Sequence, residues 1–158
     1  MMAFTGKKER GSGNAIPERE DLDRAYQWGL EDLFEDRAQW ERAYEETGPL
    51  MDSLEPFSGT LASSPSRLLE CLKLRDRLGE LTSRVFAYAH MKSHEDTRDP
   101  DGQAIAARAT TLAAAAARSG AFITPEILSI PVETLSLFLE REEGLGLYRF
   151  FLEELQRK

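Results

Sequence analysis

The chain has 158 residues, of which 41% are hydrophobic and 30% charged, and its formal net charge is −8. These values predict one globular domain with its own core, and they exclude a membrane span because no apolar run approaches the ~20 residues that a span needs. Lysine and arginine are interleaved with acids instead of forming a basic patch, so nucleic acid is not an expected partner.

Residues 1–24 are predicted to be a disordered tail that precedes one helical domain, residues 25–158. The tail carries Lys7 and Lys8 but no apolar stretch after them, so neither a secretory signal nor a membrane anchor is predicted. The single cysteine, Cys71, permits no internal disulfide and lies in the apolar register of a predicted helix, where we expect a small core residue. A cytoplasmic location suits such a chain.

The segment WGLEDLF, residues 28–34, is predicted to dock on another surface of the domain. Its apolar side chains are spaced as in an extended arm: Trp28, Leu30, Leu33 and Phe34. We therefore expect an extended docking segment here and not a strand of a sheet.

From Asp36 onward the sequence predicts an amphipathic helix. Its apolar face is formed by Trp40, Tyr44, Met51 and Leu54, with Thr47 completing the spacing. Gly48-Pro49 interrupts this pattern. Because proline removes an intrahelical donor and clashes one turn back, we expect a sharp kink or a restart there.

A second, long helix is predicted after a connector, residues 55–65. Ser64 is a good cap for free amides, and Pro65 suits the first helical position, where no donor is needed. The strongest periodicity in the chain follows, with strict three-four alternation of Cys71, Leu74, Leu78, Leu81, Val85 and Tyr88.

A third helix is predicted to form an antiparallel hairpin with the second, because the link between them is short. Asp99 is its expected cap and Pro100 belongs to its first turn. One face of this helix carries Ile105, Ala109, Leu112, Ala116 and Ile123. Residues Ala113 to Ala117 give it an uninterrupted surface of small side chains, which lets a neighbouring element approach closely.

Short helices are predicted for the remainder of the chain. Thr124-Pro125-Glu126 repeats the cap-then-proline signal, and Ile130-Pro131 restarts the helix, with Leu135, Phe138 and Leu139 continuing its apolar face. Gly144 and Gly146 bracket a last break before Tyr148, Phe151, Leu152 and Leu155. Since no strand alternation competes, the predicted fold is all-α, an antiparallel helical hairpin or bundle of about four to six helices.

The only two histidines, His90 and His94, have the spacing by which one helix presents two imidazoles to a zinc ion. That motif needs a glutamate after the first histidine as general base, and Met91 occupies the position. Glu95 and Asp96 are expected to be solvated beside the helix end. We therefore predict that His90 lies at a partly buried core edge, that His94 complements the negative helix terminus, and that neither binds metal. The alternative is a small metalloenzyme built on His90, His94 and Glu95.

No other segment predicts catalysis: the sequence contains no GxSxG elbow, no phosphate-binding GxxxxGK and no cysteine pair. The acidic pairs Glu45-Glu46 and Glu142-Glu143 are typical of solvated helix faces. Three aromatic residues are interpreted as core, or alternatively as the lining of a groove: Tyr88, Tyr148 and Phe151. The predicted catalytic, cofactor-binding and metal-ligand residues are therefore none.

The order of several segments resembles the amino-terminal region of the oligoendopeptidase F family of zinc metallopeptidases, over residues 26–157. The segments are WGLEDLF with the later Trp40, FSGTLASS (57–64), YAHMKSHEDTRD (88–99), GAFITPEIL (120–128) and LYRFFLEEL (147–155). The resemblance implies a helical domain that forms one wall of a channel admitting short unstructured peptides to a buried zinc. The Gly48-Pro49 interruption departs from the family pattern.

The resemblance also implies what this sequence lacks. Family members carry the HExxH helix and a further glutamate ligand in a carboxyl-terminal catalytic region, and neither occurs here. The zinc, the hydrolysis of oligopeptides and the catalytic partner domain are thus expected in that region. This chain is expected to be inactive alone and to expose an apolar face that the catalytic region covers. The rival hypothesis is an autonomous helical interaction module, a homodimer that buries the surface from Ala113 to Ala117.

Overall fold

The computed structural model describes residue 23 and residues 29–157, and within them the fold is helical throughout. The helices are α1 (Arg37–Leu54), α2 (Pro65–Glu95), α3 (Pro100–Ser119), α4 (Ile123–Ser129), α5 (Val132–Arg141) and α6 (Arg149–Gln156). Three 3₁₀ turns accompany them, Leu30–Asp32, Glu55–Phe57 and Glu143–Tyr148. The predicted all-α class is confirmed. The predicted tail, apart from Asp23, and Trp28 lie outside the described residues.

The α2–α3 hairpin is the centre of the fold, and α1 packs against both of its helices. Both predicted caps are confirmed. The Ser64 hydroxyl accepts from the Arg67 amide at 3.2 Å, and the Asp99 carboxylate accepts from the amides of Asp101 and Gly102 at 3.0 and 3.2 Å. These bonds satisfy backbone donors that a helix start leaves free.

Helix α1 runs unbroken through Pro49, so a restart at Gly48-Pro49 is wrong. Gly48 explains why the helix tolerates the proline: a proline ring disfavours helical backbone in the preceding residue largely through that residue's Cβ, which glycine lacks. The carbonyl that Pro49 leaves without a helical donor belongs to Glu45, which is an exposed residue.

The segment before α1 docks as predicted, but it is not extended. Residues Leu30–Asp32 form a 3₁₀ turn, which brings Leu30 and Phe34 to the same side, and both are buried. The Arg84 guanidinium of α2 donates to the Leu33 carbonyl at 2.8 Å and lies over the Phe34 ring at 5.0 Å. A turn satisfies these contacts because it places apolar residues three and four apart on one face.

Two expectations about the α3–α4 junction are wrong. Ile123 does not belong to α3, because α3 ends at Ser119 and Gly120 follows it; Ile123 is instead the first residue of α4. Thr124 does not cap α4, which begins one residue earlier, after Phe122. The restart at Ile130-Pro131 and the break around Gly144 and Gly146 are confirmed.

Two clusters of buried residues hold the helices together. The aromatic core lies between the docking segment, α1, α2 and α3, and consists of Leu30, Phe34, Trp40, Ala43, Val85, Tyr88, Ala89, Ile105, Ala109 and Leu112. The leucine core lies between α1, α2 and the short helices, and its fully buried members include Leu54, Leu61, Leu68, Leu72, Ile127, Leu145 and Leu152. Cys71 belongs to the leucine core, as predicted.

Within the described residues, no single helix has both the length and the apolar composition of a membrane span. Helices α3 to α5 reach them only jointly, across a 107° bend.

Candidate functional site

The histidine pair lies at the α2–α3 hairpin. The His90 ring stacks on Phe86 with ring centroids 4.0 Å apart, and its Nε2 lies 3.2 Å from the Thr110 hydroxyl oxygen. The His94 ring is exposed in the last turn of α2, edge-on to His90 with centroids 6.4 Å apart. His90 is thus half-buried, and its ring is oriented by Phe86 and Thr110.

The residues around the pair do not fit a zinc ion. A structural or catalytic zinc takes at least three protein ligands, and no group of three or more His, Cys, Asp or Glu residues is suitably placed within the described part of the chain. Contrary to the prediction, Glu95 is not solvated. Its side chain is only 8% exposed and it pairs with Lys92 at 3.2 Å. That the chain carries no metal ligand stays a prediction.

Among the described residues, a groove runs along the α2–α3 hairpin, with a volume of about 340 Å³. Its lining is small or apolar apart from Arg75 and two hydroxyl residues: Leu54, Arg75, Leu78, Gly79, Thr82, Ser83, Ala113, Ala116, Ala117 and Gly120. The predicted small-residue surface thus forms one side of a groove between two helices. No lining residue carries a carboxylate, an imidazole or a thiol, so the groove offers shape and contact but no acid, base or nucleophile.

The Thr82 side chain belongs to this groove lining. Its hydroxyl oxygen is buried and makes no hydrogen bond. A buried hydroxyl without a partner loses hydration without compensation, which costs about 1–3 kcal/mol.

A second groove lies between α5 and α6, with a volume of about 480 Å³. It is lined by Val132, Leu135, Ser136, Leu139, Glu140, Arg149, Glu153, Gln156 and Arg157. The apolar lining residues belong to α5, and the charged ones, of both signs, belong to the end of α5, to α6 and to Arg157 just after it. The elements around it also carry the most exposed large apolar side chains described, Leu147 at 87% and Phe150 at 76%.

An arginine closes the aromatic core at its outer edge. The Arg108 guanidinium of α3 donates two hydrogen bonds of 2.7 Å to the Glu41 carboxylate of α1 and lies over the Tyr44 ring at 4.4 Å. These bonds, with further ones from Arg37, hold the pKa of Glu41 at about 2, below its usual 4.5. The Arg108 guanidinium also lies over the Trp40 ring at 5.1 Å, and the Trp40 indole Nε1 donates to the Val85 carbonyl at 2.9 Å. A fully paired carboxylate of this kind links helices and is not a proton-transfer group.

The aromatic residues considered as groove lining lie in or against the cores. Tyr88 is buried, whereas Tyr148 and Phe151 are half-buried and pack on the leucine core. The Tyr148 hydroxyl donates to the Asp76 carboxylate at 2.7 Å. Burial and this bond raise the pKa of Tyr148 to about 12. Burial likewise raises the pKa of the Cys71 thiol to about 11, which makes it a poor nucleophile.

Glu126 has a structural role that its sequence context does not indicate. Its two carboxylate oxygens accept from the amides of Gly59 and Leu61 at 3.0 and 2.8 Å, so α4 holds the connector between α1 and α2. Gly59 has a φ of 77°, a backbone conformation that favours glycine. The bonds join residues far apart in sequence, and no local signal could have revealed them.

One acidic pair also differs from expectation. Glu45, Glu46 and Glu143 are exposed as predicted, but Glu142 is half-buried. It accepts from the Gly144 amide at 3.4 Å and from the Ser66 hydroxyl at 3.2 Å, and so caps the turn before α6.

The chain is similar to several curated bacterial peptidases. It is 33% identical over 150 residues to Oligopeptidase PepF of Bacillus subtilis, a match that covers 95% of this chain and 22% of that protein. It is 31% identical over 137 residues to Group B oligopeptidase PepB of Streptococcus agalactiae, covering 87% of this chain and 23% of that protein. The chain thus spans less than a quarter of the length of these relatives. No family model matches the chain.

Two solved structures also resemble this chain. The crystal structure of oligoendopeptidase-F from Enterococcus faecium matches with a TM-score of 0.70 and 26% identity, over 76% of this chain and 24% of that one. A protein from Chlamydophila abortus shares the fold with a TM-score of 0.77 and 20% identity, over 90% of this chain and 24% of that one. These matches are consistent with an amino-terminal domain of a longer protein.

Proposed function

Since the chain belongs to the oligoendopeptidase F family, we propose that it is the non-catalytic helical domain of a larger zinc-dependent peptidase that hydrolyses short, unstructured peptides. Its role is steric and positional. It forms one wall of the channel that leads peptides to a catalytic centre carried by another region. The observation that carries this proposal is a match that covers 95% of this chain but only 22% of an oligopeptidase.

The described surfaces favour the role of a channel wall over that of a catalytic centre. The α2–α3 groove is lined by small side chains without an acid, a base or a nucleophile. Small side chains leave room for the main chain of an extended peptide, whose polar groups need close approach to be held. The Glu41 carboxylate, whose pKa is lowered, is engaged by Arg108 and joins α1 to α3. The zinc of the proposed parent protein belongs to the catalytic region.

The proposal is tested first on the 158-residue chain alone. Purified protein should retain no zinc by elemental analysis and should cleave no oligopeptide. Chelator-sensitive hydrolysis by this chain would overturn the proposal. A His90→Ala/His94→Ala double variant is the matched control, because a metal content that falls on this change would assign a site to the pair.

A second test places the chain in a complete enzyme. This chain replaces the matched region of the B. subtilis relative, and oligopeptide hydrolysis by the chimera is compared with that of the same relative lacking the region. We expect hydrolysis only where the helical domain is present.

Sedimentation of the isolated chain tests the rival hypothesis of an autonomous homodimer. Ala114 lies on the exposed side of the small-residue surface. A stable symmetric dimer that the substitution Ala114→Glu disrupts would favour the rival hypothesis.

A further inference from the structure

The apolar side chains left uncovered are not scattered evenly. Five of the six large apolar residues exposed in the described part of the chain lie in α4, α5, α6 and the turn before α6: Leu128, Val132, Leu137, Leu147 and Phe150. The sixth, Phe86, is only 37% exposed and stacks on His90. Single exposed apolar residues are ordinary, but a group of them marks a surface that binds something.

One of these residues lines the α5–α6 groove and two lie close to its lining residues in the chain, and we call the three the carboxyl-terminal patch: Val132, Leu147 and Phe150. Val132 lines the groove directly. Phe150 precedes the lining residues Glu153 and Arg157 by three and seven positions, so it shares their face of α6. Leu147 lies in the turn that leads into that helix. Val132 and Phe150 thus share a face with the groove, and Leu147 lies two residues before α6 begins.

Burial of this patch inside the isolated chain would require an element that the described fold does not supply. Leu145 and Leu152, close by in sequence, are fully buried in the leucine core. Leu145 and Leu152 thus pack inside the leucine core, whereas Leu147 and Phe150 lie outside it. Burying the exposed side chains of Leu147 and Phe150 against a partner would remove their apolar surface from water, which is favourable in free energy.

On the premise of the proposed function, we propose that the carboxyl-terminal patch and the α5–α6 groove bind the catalytic region of the same peptidase, the three quarters of the relatives' length that this chain does not match. The occupant contributes apolar side chains to the apolar lining residues of the groove and polar groups to its charged ones, Glu140, Arg149, Glu153 and Arg157. The length of the relatives supplies such a polypeptide. A second copy of this chain is a poorer fit, because two molecules of charge −8 repel each other.

Thiol labelling tests the proposal residue by residue. Leu147→Cys and Phe150→Cys are introduced separately, both in the isolated chain and in the chimera in which this chain replaces the matched region of the B. subtilis relative. Labelling of an exposed thiol follows its accessibility, so we expect each site to react about tenfold or more slowly in the chimera than in the isolated chain. Ala62→Cys, at an exposed connector position, is the control and should react at the same rate in both.

The buried natural thiol of Cys71 reports on folding in the same experiment, since it stays unreactive only while the leucine core is intact. A chimera that labels at Cys71 has not folded. The complete relative, with cysteine at its positions aligned to Leu147 and Phe150, then supplies the readout, and protection of those positions is the expected result.

Equal labelling in the isolated chain and in a folded full-length protein would overturn the proposal. Slow labelling of the isolated chain that becomes fast on dilution would overturn it as well, because the patch would then bind a second copy. Neither result would contradict the proposed function if the chimera still hydrolyses oligopeptides. Conversely, hydrolysis by the isolated chain would contradict the proposed function without changing the labelling rates.

Discussion

The aromatic core and the leucine core differ in the side chains that separate them from solvent. Over the aromatic core, the guanidinium groups of Arg37, Arg84 and Arg108 lie on the rings of Trp40 and Phe34 and face water. Over the leucine core, Arg67 and Arg75 lie on the rings of Phe57 and Phe151 in the same way, but the elements that close this core also expose Leu147 and Phe150. Arginine presents an apolar plane to a ring and a charge to solvent, so it terminates an apolar cluster. The aromatic core is thus bordered by charged groups, whereas the elements around the leucine core also leave large apolar side chains exposed.

The largest expected effect comes from removing the centre of the aromatic core. Trp40→Ala deletes a fully buried ring and its bond to the Val85 carbonyl, and should lower the free energy of unfolding by about 3–5 kcal/mol. Chemical denaturation followed by circular dichroism measures this. Trp40→Phe is the control and should cost less because it keeps an aromatic ring in place. A loss below about 1 kcal/mol for Trp40→Ala would show that this core is not tightly closed.

The next effect separates the inside of the leucine core from its surface. Leu152→Ala should lower the free energy of unfolding by about 2–5 kcal/mol, because it leaves a cavity in place of a fully buried side chain. Phe150→Ala, two residues earlier on the same helix, should change it by no more than about 0.5 kcal/mol in the isolated chain. Thermal and urea unfolding of the two variants measure the difference. A large loss for Phe150→Ala would mean that the ring already packs within this chain.

A smaller effect is expected where α4 holds the connector beside the leucine core. Glu126→Gln replaces one accepting oxygen by an amide that donates, which opposes the amides of Gly59 and Leu61 and should cost about 1–3 kcal/mol. Hydrogen exchange at those two amides should accelerate relative to wild type. The exposed residue Glu133, in the first turn of α5, gives the matched control Glu133→Gln, for which exchange at Gly59 should not change.

The ion pair over the aromatic core should contribute a pH-dependent stability. The pKa of Glu41 is lowered in the folded chain from 4.5 to about 2, so its contribution is fully present above about pH 4.5 and is lost as the pH falls towards 2. Because the Glu41 and Arg108 side chains are 32% and 40% exposed, solvent screens the pair and we expect at most about 1 kcal/mol. Unfolding of wild type and Glu41→Gln at pH 7 and pH 2.5 should show a difference that shrinks in acid. A constant difference would contradict this assignment.

The smallest effect should have the opposite sign. Thr82→Val replaces a buried hydroxyl without a partner by a methyl group of similar size, and should leave the free energy of unfolding unchanged or raise it by up to about 1 kcal/mol. Thr82→Ala is the control and should destabilise, since it removes the methyl group as well. Calorimetric melting of the three proteins gives the order. A clear loss for Thr82→Val would show that the hydroxyl has a partner in solution.

The sequence predicted those parts of the fold that depend on neighbouring residues. Ser64 and Asp99 cap helices because the donors they satisfy lie two or three positions away, and the α2 periodicity records its buried face directly. The same reasoning was wrong where a local signal had a second reading. Thr124-Pro125 fits the inside of a first turn as well as a cap, and the glycine before Pro49 removes one of the clashes that disfavour a helix at a proline.

The candidate surfaces were less predictable than the helices. The sequence indicated that Ala113 to Ala117 form a small-residue surface, but not that α2 supplies the other side of a groove. It contained Leu147 and Phe150 among apolar neighbours, and only packing decides which of two adjacent leucines or phenylalanines is buried. The role of Glu126 depends on contacts more than sixty residues away. Long-range geometry of this kind is not encoded in any short window of residues.

The bonds from Glu126 to the connector bear on the order in which the domain folds. Helices α2 and α3 join through a link of four residues, 96–99, so their pairing closes a short loop. The bond from Gly59 to Glu126 instead closes a loop of 67 residues, for which the entropy of closure is larger. We therefore expect the hairpin to form early and the connector to become ordered late, together with α4. In a kinetic experiment, Glu126→Gln should accordingly accelerate unfolding more than it slows refolding.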